Sequence, residues 1–395
     1  MNFLDLLRKP VIGTFFRVAL SITQTVLSWF IKKDKSIVVA CPQGVRYADN
    51  GKYFFEHLHK NHTDVCLLTS SQTMYSTLAE KYPDHVVYSF SSRGIRKYIA
   101  ASVLVYSYGK RDFYPFQLTK SKTIVNLWHG NSVKKIALAS KMSALNNSKL
   151  KKEIKKIDFF IASSETEAET LIQCFNLKPT QIKITGLPRN DYLLANDYNQ
   201  TLLGDYPWLT KKTILYAPTF RKTGSTNIIP FNDYDLDTLN SFLLKNDAYL
   251  LVRKHHSEWF NNKEGYDAIN SYSNIINAGQ DAFPEIQELL PFVDILVTDY
   301  SGIYFDYLLL DRPMIFAPYD IESFSQKPGF LFDYNKNTPG PKVNSQQIFI
   351  NELFKVFSGN DEYIAARKSC RDKFHLHQDG QSSERILNLI KNKLN

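Results

Sequence analysis

The stretch DILVTDYSGIYFDYLLLDRPMIFAP, Asp294 to Pro318, decides the fold. Its ends, ILVTD and PMIFAP, are short, rich in β-branched or large apolar residues, and read as buried strands. Between them a polar turn, DYSG, precedes an apolar run with helical spacing. Strand, turn and helix followed by a second strand form a βαβ unit, the building block of parallel sheet. An acid, a phenol and a hydroxyl at the mouth of a helix make a candidate phosphate-binding turn.

The same alternation extends outward in both directions. SIVVAC, DVCLLTS, HVVYSF, VLVYSY, TIVNLWH, FFIASS and IKITG precede it, and TILYAPT, YLLVRKH and NIINAG stand just before it. Between the two groups residues 192–212 are polar and turn-rich, which predicts a linker. A chain of 395 residues is long for one core. The reading is α/β: two Rossmann-like halves, residues 35–200 and 211–395, facing each other across a cleft. No GxGxxG or GxxxxGK[ST] occurs, so a dinucleotide fingerprint and a Walker loop find no support.

Residues 1–34 stand apart. Leu4 to Trp29 carry apolar residues in steps of three and four, Thr14, Arg17, Gln24 and Ser28 fall on the opposite face, and lysines follow at Lys32 and Lys33. This predicts an amphipathic helix lying in a membrane interface. A helix packed on the protein's own surface and a spanning anchor are the alternatives; Arg17 and Gln24 near the middle argue against spanning.

Lysine and arginine exceed acids by 9, which favours an anionic partner. The basic residues are dispersed and form no recognised nucleic-acid module. The four cysteines lie far apart with no CxxC spacing, so neither zinc nor a redox pair is expected, and Cys41 and Cys66 read as buried thiols. His57/His59 and His375/His377 lack a carboxylate-rich partner motif, and no metal or other cofactor is expected.

Ligands of open α/β sheets bind beyond the carboxyl ends of strands. Those ends deliver His129 and Gly130, Thr219 and Arg221, Arg253 and His255, and Asp299, Tyr300, Ser301 and Gly302. His129 has the chemistry of a general base. Ser132 would cap a following helix. Arg253 with His255 would neutralise a diphosphate, and Thr219 with Arg221 would hold phosphate. Asp299 would repel phosphate, so it is expected to orient a hydroxyl or cap the helix. Arg189 and Asp191 in TGLPRND either belong to the site or tie the two halves together.

Seven motifs in order carry a resemblance: YADNGKYFFEHL, LWHGNSVKKI, TGLPRND, LYAPTFR, VRKHH, VTDYSGIYFDYLLLDRP and FHLHQDGQSSERI, spanning Tyr47 to Ile386. The chain resembles the CDP-glycerol glycerophosphotransferases of teichoic acid and capsule synthesis. The resemblance implies a GT-B fold and transfer of a polyol phosphate from a CDP-alcohol to a hydroxyl of an undecaprenyl-diphosphate-linked acceptor, releasing CMP. That acceptor places the enzyme peripherally on the cytoplasmic face of the membrane. His129 falls on the proposed base, His255 on a second motif histidine, and Thr219, Arg221, Asp299, Tyr300 and Ser301 on donor-side motifs. The chain departs from the family in having His256 where proline is common and Gly302 where a second serine is common. CDP-ribitol is the alternative donor. A nucleotide-sugar glycosyltransferase and a non-catalytic nucleic-acid-binding scaffold are the rival functions. The length leans towards a primase or short-chain type.

Overall fold

The computed structural model describes residues 22–140, 147–195, 197–219, 229–253 and 269–395. The first 21 residues, Arg221 and His255 lie outside them. All twelve apolar runs are strands. The first seven, β1 (Ile37–Ala40), β2 (Val65–Thr69), β3 (Val86–Tyr88), β4 (Val103–Tyr106), β5 (Thr123–Asn126), β6 (Phe159–Ala162) and β7 (Ile182–Ile184), form one sheet in the order β3-β2-β1-β4-β5-β6-β7. The other five are β8 (Lys212–Tyr216), β9 (Ala248–Val252), β10 (Ile275–Asn277), β11 (Ile295–Thr298) and β12 (Met314–Phe316). They form a second sheet in the order β10-β9-β8-β11-β12. Every pairing is parallel.

Parallel strands covered on both faces must be apolar on both faces, which is why they read as continuous runs. Val38 and Ala40 of β1 face one core while Ile37 and Val39 face another. On β11, Leu296 and the pair Ile295 and Val297 divide in the same way. Strand order reverses between β1 and β4 in one sheet and between β8 and β11 in the other. Loops diverge at such switch points and leave a crevice.

Residues 192–212 connect the sheets, but mostly as helix. Pro188–Leu194, Thr201–Asp205 and the 3-10 turn Pro207–Thr210 bring Leu193, Leu202, Tyr206 and Leu209 onto the core of the second sheet. The polar composition masked apolar residues at helical spacing. The last helix, Ser382–Leu394, returns to the first sheet, where Ile386, Leu387 and Ile390 join the core beside β1 and β4. Asp191 holds the start of that helix by accepting the Ser382 and Ser383 amides, each at 2.8 Å.

Residues 22–30 are helical. Gln24 is buried and exchanges hydrogen bonds with the main chain of Gln117, while Leu27 and Ile31 pack against the first core. Ile22, Val26, Trp29 and Phe30 point outward, the last two 76% and 79% exposed. The apolar stripe is therefore the outer face, and the helix docks through a glutamine. No helix among the described residues is long and apolar enough to cross a membrane.

Candidate active site

The crevice between the sheets holds a cavity of about 520 Å³. His129, Gly130, Thr219, Arg253, Tyr300, Ser301 and Gly302 all line it. They are joined by residues the sequence reading did not place in the site, including Arg46, Asp49, Tyr108, Glu285 and Asp306.

His129 follows β5, its ring stacked between Trp128 at 3.9 Å and Tyr108 at 4.7 Å between centroids. Burial disfavours its cation and lowers its pKa to about 4, with the Arg189 and Lys134 charges acting the same way and Asp49 opposing them. At neutral pH the imidazole is free of its second proton, the state a base needs.

Residues 129–136 form no helix, and only the short 3-10 turn Ala137–Ala139 comes next. The loop instead pairs with the second half: Lys135 and Leu331 amides donate to Gly329 and Val133 carbonyls, each at 2.9 Å, and Val133 is buried in the second core. Ser132 does not cap; its hydroxyl donates to the Lys134 carbonyl. Pairing across the crevice supplies the backbone partners that a helix would have supplied.

The DYSG turn meets this loop directly. Gly302 lies so close to the Asn131 carbonyl that a Cβ there would overlap it, so a second serine, common in the family, does not fit this packing. The helix after the turn is short, Ile303–Tyr307. Tyr300 is buried and stacked on Phe324 at 3.9 Å, which makes it a wall of the turn. Asp299 is buried and does not line the cavity; its carboxylate accepts the Thr219 amide at 2.7 Å, tying the end of β11 to that of β8. That contact orients main chain.

Arg253 lines the cavity, but its Nη1 donates to the Phe283 and Ala278 carbonyls at 2.7 and 3.0 Å. That nitrogen is committed to the protein, and burial lowers the pKa of the guanidinium to about 10. Arg189 is more deeply involved than a tie. It pairs with Asp49 at 2.9 Å and Asp306 at 2.7 Å. Burial alone would lower its pKa, but the two carboxylates outweigh it and hold the guanidinium above its ordinary value. Asp49 also donates its amide to Glu285 across the crevice at 2.7 Å. Asp49 and Asp306 both lie inside motifs quoted above, the one signal that marked them. Among the described residues no three His, Cys, Asp or Glu side chains gather to hold a metal.

Residues 22–392 match the family described as CDP-glycerol:poly(glycerophosphate) glycerophosphotransferase. The chain belongs to that family. It is 30% identical over 368 residues to a teichoic acid glycerol-phosphate transferase of Staphylococcus aureus, covering 88% of this chain and 90% of that one. It is 32% identical over 287 residues to a teichoic acid poly(ribitol-phosphate) polymerase of Bacillus spizizenii, covering 70% of this chain and 44% of the polymerase. Its fold matches the wall teichoic acid polymerase TagF, with a TM-score of 0.77 at 22% identity over 97% of this chain and 98% of that one. The GT-B arrangement and the activity class, glycerophosphotransferase, are thereby those of this protein.

Proposed function

We propose that this glycerophosphotransferase moves glycerol phosphate from CDP-glycerol to a hydroxyl of a lipid-linked acceptor at the cytoplasmic membrane surface, with His129 as base. The acceptor oxygen attacks the phosphorus that carries glycerol. The new P–O bond forms as the bond to CMP breaks, the hydroxyl proton passes to His129, and CMP leaves with the electron pair. Little covalent work falls to the protein in such a transfer; positioning and charge stabilisation carry it.

The observation that carries this reading is the facing of His129 and the DYSG turn across one cavity, with Gly302 against Asn131. The CDP group is assigned to the second half, residues 211–395, beside Thr219, Arg253, Ser301 and Gly302. Arg221 and His255 are assigned there from the motifs that hold them. The acceptor is assigned to the half of residues 35–200. An undecaprenyl-diphosphate carrier fits the surplus of 9 positive charges and the outward apolar stripe of residues 22–30, both suited to an anionic membrane.

Ribitol phosphate is the second reading, favoured by the ribitol-phosphate polymerase among the relatives. The test is CMP release with CDP-glycerol and CDP-ribitol offered separately, each with and without a lipid-diphosphate disaccharide. Acceptor-dependent CMP from CDP-glycerol, lost in His129→Ala, is expected. CMP from CDP-ribitol alone overturns the donor assignment, and an active His129→Ala overturns the base.

A further inference from the structure

Glu167 lies outside the cavity, in the helix Glu165–Phe175, and is buried. Its Oε2 is 2.7 Å from the Ser163 hydroxyl, which is also 2.8 Å from the Phe374 carbonyl and 2.9 Å from the Asn131 side-chain amide. A hydroxyl has one proton. The Phe374 carbonyl only accepts, and an ionised Glu167 would only accept, so one of the two short oxygen contacts would hold no hydrogen. A neutral Glu167 gives each contact its own: the acid donates to Ser163, and Ser163 donates to Phe374. The Asn131 amide then donates into Ser163.

The chain of contacts reaches the transfer site. Asn131 is two residues from His129, and its carbonyl is the atom against Gly302. Ser163 thus fixes one of the residues at which the two halves touch. We propose that Glu167 is a positioning residue that works as the neutral acid, holding Ser163 and Asn131 so that the His129 loop seats on the DYSG turn. The charged groups facing it are Arg189 and Asp306, which are paired with each other. Neighbouring His375 makes a 2.7 Å hydrogen bond to the Phe305 carbonyl, and its burial disfavours the cation. Burial agrees with the proton count, raising the Glu167 pKa to about 7, against the Ser163 hydrogen bonds that favour the anion.

The inference rests on the His129 reading for its effect on rate, so the experiment has two readouts. Transfer is followed from pH 6 to 9 in the full chain and in Glu167→Gln, Glu167→Ala and Ser163→Ala. Glu167→Ala and Ser163→Ala are expected to lose about tenfold or more in kcat at pH 7, with donor KM changed by less than about threefold, as misplacement of a catalytic group does. Glutamine keeps an uncharged donor and acceptor of the same shape. It is expected to recover most of the loss and to stay flat above pH 7, where the parent enzyme declines. A glutamine variant no better than alanine, or one that keeps the parent's alkaline decline, overturns the proposal. If Glu167→Ala does not fold, the parent and glutamine profiles decide alone. Infrared spectroscopy of the same proteins is expected to show a protonated-carboxyl band at pH 6 that Glu167→Gln lacks. Its absence from the parent also overturns the proposal, whatever His129→Ala does to the rate.

Discussion

Arg189 binds Asp49 with one guanidinium nitrogen and Asp306 with the other, at 2.9 and 2.7 Å. The first acid opens the helix after β1 and the second lies in the helix after β11, so one side chain joins the two switch points. All three side chains are largely buried. Removing one member of a buried ion network strands charges in a poor solvent and costs about 3–5 kcal/mol. Arg189→Ala is expected to lose that much in urea unfolding. Arg189→Lys is expected to recover less than half, because an ammonium has no fork to span two carboxylates. Full recovery by lysine would show that charge alone suffices.

Gly302→Ala tests the seating of the two halves. The added methyl overlaps the Asn131 carbonyl, main chain that must retreat for it to fit. Displacing a reacting group by an ångström costs about 10²-fold in rate. A kcat loss of at least tenfold is expected, with urea stability lowered by about 1–3 kcal/mol as the overlapped main chain shifts. Unchanged kcat would mean that this contact does not set the distance between His129 and the donor.

Much of the frame was legible because parallel strands buried on both faces announce themselves as apolar runs, as IVVA and ILVT do. Strand ends then pointed to His129, Thr219 and Ser301. The Asp49–Arg189–Asp306 network was not legible, since nothing local to the two acids or the arginine reveals a partner more than a hundred residues away. The loop after His129 misled for a related reason. NSVKKI has a capping serine and helix-forming lysines, but pairing with Gly329 and Leu331 is a tertiary contact that overrides local preference. In residues 22–30 the pattern gave amphipathicity without its direction: Gln24, apparently on the solvent face, is the residue that docks.

With His129 as the proposed base, the acid limb of activity is expected to report on it. Burial depresses its pKa from 6.5 to about 4, so the base form persists well below neutrality. The acid limb of kcat/KM for the free enzyme is expected near pH 4 rather than near 6.5. His129→Ala is expected to lose about 10²–10⁴-fold in kcat. An acid limb near 6.5 would mean that the imidazole is more solvated than its stacking between Trp128 and Tyr108 implies.

Trp29 and Phe30 are the most outward apolar side chains of residues 22–30. Burying a large apolar side chain contributes about 1.5–3 kcal/mol. Trp29→Ser combined with Phe30→Ser is expected to weaken sedimentation with vesicles of anionic phospholipid by about tenfold or more, with solution stability unchanged, because neither side chain packs on the core. Equal vesicle binding by parent and variant would remove this stripe from the membrane contact.

Glu167 also makes a stability prediction independent of catalysis. Its folded pKa, about 7, lies above the 4.5 of an ordinary glutamate. Between these values the folded protein keeps a proton that the unfolded chain has released, so stability falls as pH rises through that window. The stabilisation is fully present below pH 4.5 and lost as pH passes 7, a total on the order of 3 kcal/mol at most. Glu167→Gln has no such proton to lose. Its urea-unfolding free energy, relative to the parent, is expected to climb from pH 5 to pH 7 and to level off above about pH 7. A constant difference across that range would mean that Glu167 is ionised in the folded protein, and the shared proton of Ser163 would then have to be placed elsewhere.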